Sequence, residues 1–241
     1  MLYAESDMAA EKIQWFNYNL PKEEWTEECP ESLRDASAKD RGIIGSLDED
    51  FKPMSWEEVK HLVAINRIDK FQRSPSELRR YRQYIYHLKK NYGSVMNFII
   101  KHRLQWSDVN PTGPPFSNPD DIKVLYNDWP YGIDKRIVHL VVWVKFDIED
   151  DPETDRLTPS AWKQIQDYVN ETFCSQMNPD HVVWFKNWKS LKSIHAVEHF
   201  HVMLYEPDMA FVHSITNGDM PQSAIEQRSN ESDTISANGS I

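Results

Sequence analysis

The chain has 241 residues, with nine Trp, ten Tyr and ten Phe, a formal net charge of −11 and only two cysteines. Its length and aromatic content supply a substantial core, and the negative balance argues against a nucleic-acid footprint. Cys29 and Cys174 are too few for a disulfide framework and lack metal-ligand spacing, which fits a reducing compartment. No basic-then-apolar leader opens the chain, and no apolar run approaches the roughly 18 residues of a bilayer span, so a soluble intracellular protein without a membrane partner is expected.

Residues 1–50 carry five Lys/Arg against thirteen Asp/Glu and read as an acidic, partly ordered arm, with a short amphipathic helix around Met8 to Tyr18. Residues 60–105 reverse the balance, with eleven Lys/Arg against two Asp/Glu. Such a basic segment points to an anionic ligand, to an internal electrostatic partner (the acidic arm itself), or to a solvated helical face.

A helical segment is expected over 51–105. In "SWEEVKHLVAINRI", Ser55 followed by Glu58 forms a capping-box pattern, and Trp56, Val59, Leu62 and Val63 form one stripe. "SPSELRRYRQYIYHLKKNYG" repeats the device: Ser74 caps, Pro75 takes the first helical position, Glu77 completes the box, and Gly93 offers a left-handed stop. "SVMNFIIKHRL" reads as a third, shorter helix. The loop "NPTGPPFSNPD" then breaks regular structure.

Sheet structure is expected over 120–206. "DIKVLYN", "RIVHLVVWVKF", "HVVWFKN" and "EHFHVMLYE" are rich in Val, Ile and aromatic residues and read as strands. "NDWPYG" reads as a turn, "DIEDDPETDR" as an acidic loop, and "LTPSAWKQIQDYVNETF" as a helix capped by Thr158 with a Trp162, Ile165, Val169, Phe173 stripe. The order implies an α+β fold, an antiparallel sheet with packed helices, as a single domain over 51–213. The polar, Ser- and Asn-rich residues 214–241 are expected to be disordered.

Alternation along the last strand puts His199, His201, Met203 and Tyr205 on one face and Glu198, Phe200, Val202 and Leu204 on the other. The apolar set is the core side, so a cleft or a helix must cover the histidines. Paired imidazoles suit attack on phosphorus and hydrogen bonding to its oxygens. They also suit a metal, with Glu206 or His139 as a third ligand, or two satisfied core histidines. For an anionic ligand, Arg73 and Arg79 at the start of the second helix are the candidate anchors. Arg80 and Arg82 lie off the apolar stripe. Asn127, Asp128, Trp129 and Tyr131 offer a polar, stacking turn; Lys186, Asn187 and Lys192 follow the third strand. Asp128 and Glu198 could orient an imidazole.

The stretches "VLYNDWPYGIDKRIVHLVVWVK", "LTPSAWKQIQDYV" and "HVVWFKNWKSLKSIHAVEHFHVML" resemble the layout of the histidine-triad superfamily, which includes galactose-1-phosphate uridylyltransferase. The resemblance covers roughly 122–206. It implies a histidine-triad-like core in which His199 takes the place of the nucleophile, His201 that of the last histidine, and Asn187 a position near phosphate. The first histidine position falls on Val197.

"RSPSELRRY", "YGSVMNFIIKHRLQW", "VLYNDWPYG", "HLVVWVK", "VVWFKNW" and "EHFHV" resemble the fungal N-acetylglucosamine-induced protein family, which implies a cytoplasmic or nuclear protein of the amino-sugar response. Together these readings lead to an expected small phosphorylated ligand, such as a nucleotide, sugar nucleotide or sugar phosphate, with hydrolase or transferase chemistry open and no cofactor implied. The alternatives are a non-catalytic regulatory or scaffold protein with a protein partner, and a His-x-His metal protein.

Overall fold

The computed structural model describes residues 13–154, 156–187 and 197–228. These fall into two compact units, 13–52 with 74–86 and 53–73 with 87–228.

The first unit begins with short 3-10 turns at Trp15–Asn17, Lys22–Glu24 and Glu31–Leu33, and continues into helix α1, Ala38–Ile44. The Ser37 side chain caps α1 by accepting the Asp40 N–H. Phe16, Leu33 and Ile44 bury together with Leu78. The described part of the acidic segment is therefore packed, because three apolar residues in non-periodic positions find a common core. In place of a helix, Trp15–Asn17 is one 3-10 turn; residues before 13 lie outside the described residues.

In the second unit, α2 is Trp56–Ala64, with both halves of the Ser55/Glu58 capping box present. Helix α3 is Pro75–Tyr92, whose residues up to Tyr86 belong to the first unit. It stops at Gly93 with φ +76°, a conformation that favours glycine. Helix α4, Val95–Phe98, runs on as a π-helical turn, Ile99–Leu104.

Strands β1, Ile122–Tyr126, and β2, Ile137–Val144, follow. The acidic loop holds a small hairpin of β3, Asp150–Asp151, and β4, Arg156–Leu157. Helix α5, Pro159–Val169, is capped by Thr158 and ends in a second π turn, Asn170–Cys174. Strands β5, Val182–Phe185, and β6, Glu198–Tyr205, then lead to α6, Met209–Ile215.

The main sheet has the order β1-β2-β6-β5, antiparallel throughout. On one face Val124, Leu140, Val142, Phe200, Val202 and Leu204 pack against Ala161, Ile165, Val169 and Phe173 from α5 and its π turn, and Val212 from α6. The register pairs His139 with Met203, Val141 with His201 and Trp143 with His199, so all three histidines share the opposite face. That face is not open: Trp56 and Val59 from α2, with Ile68 and Phe71, pack on Ile137, Phe185 and Met203.

Two expectations are corrected by the structure. Trp162 does not belong to the buried stripe of α5; it is 51 % exposed, and Ala161, Ile165 and Val169 fill the i, i+4, i+8 positions instead. Residues 214–228 carry structure where disorder was expected: Thr216 is buried, 222–228 are helical, and Asp219 is held by Arg103. The composition of the segment understated its order because a polar side chain with a buried ionic partner needs little apolar area to be fixed. Residues 229–241 lie outside the described residues.

Candidate functional site: a buried histidine chain beside a cleft

β2 and β6 place His139, His199 and His201 in the sheet interior at 3 %, 5 % and 6 % exposure. A buried imidazole must find partners on both ring nitrogens, and the neighbours supply them. His139 Nε2 and His201 Nδ1 are 3.0 Å apart. The Asn187 Nδ2 lies 3.2 Å from His201 Nε2. The Asn127 Nδ2 lies within 3.3 Å of the His139 ring nitrogens, while its Oδ1 accepts the Trp129 N–H at 3.0 Å.

These contacts form a continuous polar chain, Asn127–His139–His201–Asn187, inside an aromatic sleeve. Phe185 stacks on His201 with centroids 4.9 Å apart, and Tyr131 stacks on His139 at 5.5 Å. Beside the chain, Trp143 stacks on His199 at 4.4 Å, and the His199 Nδ1–H points at the Val197 carbonyl at 3.2 Å. Burial, helped by the neighbouring imidazoles and Arg73, holds His201 well below its ordinary value; burial, with Arg73, takes His139 down to about 3. Both are neutral at pH 7.

Asn187 also lines a cleft of about 460 Å³ at the end of β5, together with Asp150, Arg156, Trp162, Trp184 and Lys186. The two indoles are tilted with centroids 5.8 Å apart, and Trp184 Nε1 is held by Gln166 at 2.9 Å. Lys186 is nearly buried. Its ammonium sits 2.7 Å from both Asp150 oxygens and 3.3 Å from Glu198. The cleft therefore combines a half-exposed aromatic surface, alternating charges and one amide wired to the histidine chain.

The residues expected at a site are distributed as follows. His199, His201, Lys186 and Asn187 cluster around the end of β5 and the facing part of β6. Asn127 and Tyr131 support the chain from its other end. Trp129 is core at 2 % exposure, and its carbonyl accepts from Arg73 Nε at 3.1 Å and Nη2 at 2.6 Å. Arg73 also lies over the Tyr131 ring at 5.1 Å, so it fastens the turn.

Asp128 joins Arg103 and Asp219 in a buried ion trio, with Arg103–Asp128 at 2.8 Å and Arg103–Asp219 at 2.7 Å. Burial raises the Asp128 carboxyl to about 6 against the pull of Arg103. For Arg103 itself, burial lowers the pKa, but Asp219 and Asp128 outweigh it and raise the guanidinium. Within the first unit, Arg79 donates to the Phe16 and Tyr18 carbonyls, and Arg82 pairs with Asp35 and Asp40. Arg82 is thus answered by carboxylates of the acidic segment, and Arg79 is tied to its backbone. Lys192 lies outside the described residues.

The sequence carries no local sign of Arg156, Trp162 or Asp150 as ligand-site residues, since it places Trp162 in the α5 stripe, and it offers His139 only as a third metal ligand. As for a metal, no group of three His, Cys, Asp or Glu able to hold one occurs among the described residues. Glu206 turns to Arg136 at 3.2 Å. No helix among the described residues is long and apolar enough to cross a membrane.

These features define an α+β protein built on one four-stranded antiparallel sheet, with a polar chain sealed in one face and a cleft at the chain's end. Residues 55–205 match the model of a family described as "Protein of unknown function (DUF3605)", and the chain belongs to that family. It is 27 % identical over 187 residues to N-acetylglucosamine-induced protein 1 of Candida albicans, covering 69 % of this chain and 74 % of the relative. It is 28 % identical over 176 residues to the uncharacterized protein YPL067C of Saccharomyces cerevisiae, covering 68 % of this chain and 85 % of that one. Among solved structures, the crystal structure of HTC1 shares the fold, with a TM-score of 0.58 and 24 % identity over 70 % of this chain and 98 % of that chain.

Proposed function

We propose that this protein binds a phosphorylated sugar, as a sugar phosphate or sugar nucleotide, in the cleft at the end of β5, and acts in the amino-sugar response of the fungal cytoplasm or nucleus. The observation that carries the reading is the cleft itself. Its volume of about 460 Å³ suits one such ligand. The exposed Trp162 indole offers a surface for the C–H face of a pyranose, and Arg156 is a bidentate donor for phosphate. Asp150, Lys186 and Asn187 supply donors and acceptors for hydroxyls. The name of the Candida relative supports an amino sugar as the carbohydrate.

A second reading, phosphoester hydrolase or nucleotidyl transferase chemistry at His199, is favoured by one contact. The Val197 carbonyl takes the Nδ1–H and so places the ring's lone pair on Nε2, the form that attacks phosphorus. Against it, both nitrogens of His201 are engaged within the sheet, which favours binding without turnover.

The test is a thermal-stability panel with N-acetylglucosamine phosphates, uridine diphosphate sugars, nucleotides and unphosphorylated sugars. A ligand present at about 100 times its Kd adds roughly 2.7 kcal/mol of stability. Stabilisation by one phosphorylated class, lost in Arg156→Ala and Trp162→Ala, is the expected result. No stabilisation by any of them removes the reading. Turnover of the bound compound, abolished in His199→Gln, would move the second reading to the front.

A further inference from the structure

The protons of the buried chain can be counted. A neutral imidazole has one N–H and one lone pair, so His139 and His201 together offer two of each. The Trp129 N–H holds Asn127 Oδ1 at 3.0 Å, which turns the Asn127 NH₂ toward His139. The Asn187 NH₂ faces His201 from the other end. Two imidazoles enclosed by donors on both sides cannot satisfy all three contacts. If each outer nitrogen accepts, both inner nitrogens carry hydrogen and oppose each other across 3.0 Å. If the inner bond forms, one outer contact sets donor against donor. An added proton would only bring another donor.

A half-turn of the Asn187 amide resolves the mismatch. Asn127 then donates to His139 Nδ1, His139 Nε2–H to His201 Nδ1, and His201 Nε2–H to Asn187 Oδ1. The Asn187 NH₂ is thereby turned away from His201. Asn127 cannot make the same turn without giving up the Trp129 N–H. Asn187 can, because its residue lines the cleft.

We infer that Asn187 is the specificity-determining amide of the cleft: the His139–His201 chain, with both rings in the Nε2–H form, holds its Oδ1 before any ligand arrives and so presents its NH₂ to a ligand phosphoryl oxygen. The inference rests on the phosphorylated-sugar reading and deepens it: the phosphate, rather than the hydroxyls, lies against Asn187, between Lys186 and Arg156. His139 and His201 are positioning residues that act through the amide and do not touch the ligand.

The test is long-range ¹H–¹⁵N NMR of the full chain with ¹⁵N-histidine, which separates the two tautomers. It is run without ligand and with N-acetylglucosamine 6-phosphate, unphosphorylated N-acetylglucosamine and inorganic phosphate, with binding followed in parallel by calorimetry. The expected result is His201 in the Nε2–H form before any ligand is added, with saturable binding of the phosphate-bearing probes and weaker binding of the plain sugar. Asn187→Asp, whose carboxylate also accepts from His201 but has no NH₂ to offer the phosphate, should keep the Nε2–H form and bind the sugar phosphate at least tenfold more weakly. A ligand-free His201 in the Nδ1–H form, or sugar-phosphate binding by Asn187→Asp as tight as by the natural chain, overturns the inference and leaves the proposed function standing. If no probe binds, both fall.

Discussion

The two faces of the main sheet are both buried, yet they are built from different chemistry. On the α5 side, every position facing the helices from the middle of β2 and β6 is aliphatic or Phe. Burial there is non-directional, and its strength follows the apolar area removed from water. On the α2 side, the same two strands present three histidines among aromatic rings. Burial there holds only while each ring nitrogen keeps its partner, since an unsatisfied buried polar group costs about 1–3 kcal/mol. One face is tolerant of shape-conserving substitution; the other is a set of matched donors and acceptors that accepts few alternatives.

Four substitutions or conditions sharpen that contrast. The largest loss is expected from Phe200→Ala on the apolar face, where the ring is fully buried: about 3–5 kcal/mol in urea unfolding, with ligand response retained in the folded fraction.

On the polar face, His201→Leu keeps the volume but strands Asn187 and His139, and is expected to cost about 2 kcal/mol. Adding His139→Leu should cost less than the sum of the two single changes, because the second change removes a group already left without its partner. A coupling of about 0.5–3 kcal/mol in the double-mutant cycle is expected; additivity would show that the chain does not act as a unit.

The third is pH. His139 and His201 have folded-state values depressed below the ordinary imidazole value. Below about pH 6.5 the unfolded chain therefore takes up protons that the folded chain refuses. Stability is fully present above that pH and falls as the pH is lowered toward 4, by up to about 1.4 kcal/mol per pH unit for each imidazole. Asp128 has the opposite sign. Its carboxyl is raised to about 6, so between about pH 4 and 6 the folded state holds the proton more firmly and gains stability on acidification. Two imidazoles outweigh one carboxyl, so urea midpoints should fall from pH 7 to pH 5. The His139→Leu/His201→Leu double variant should flatten that fall, and Asp128→Asn should steepen it.

The smallest effect is expected at Trp162. Half-exposed on α5, it should change stability by less than about 0.5 kcal/mol when replaced by Ala, while removing the sugar response. A stability loss of the size seen at Phe200 would show that the indole is core after all.

The sequence made local periodicity legible. The Ser55 and Thr158 caps, the Gly93 stop and the four long strands could all be read from spacing and residue type, because each depends on neighbours within a few positions. The alternation of β6 also placed the two histidines together and apart from Phe200. What could not be read depends on pairing across the chain. His139 meets His201 from 62 residues away and Arg103 meets Asp219 from 116, and no local pattern announces either partner. For the same reason Arg79 looked like an anion anchor, when its side chain is buried and its Nη1 and Nη2 donate to the Phe16 and Tyr18 carbonyls. Acidic and polar composition likewise suggested a partly ordered arm and a disordered tail, because composition reports the area available for burial and not the specific partner.

The Arg103–Asp219 contact has a consequence for self-association. β1 borders the sheet, and an outermost strand with unsatisfied backbone groups is a template for another chain. Here Asp219 Oδ2 takes the Tyr126 N–H at 2.9 Å while Arg103 grips the same carboxylate. The segment after α6 thus blunts the growing end of the sheet. A chain truncated before Asp219 should leave that strand open to strand-by-strand polymerisation, visible as concentration-dependent light scattering, while the full chain stays clear.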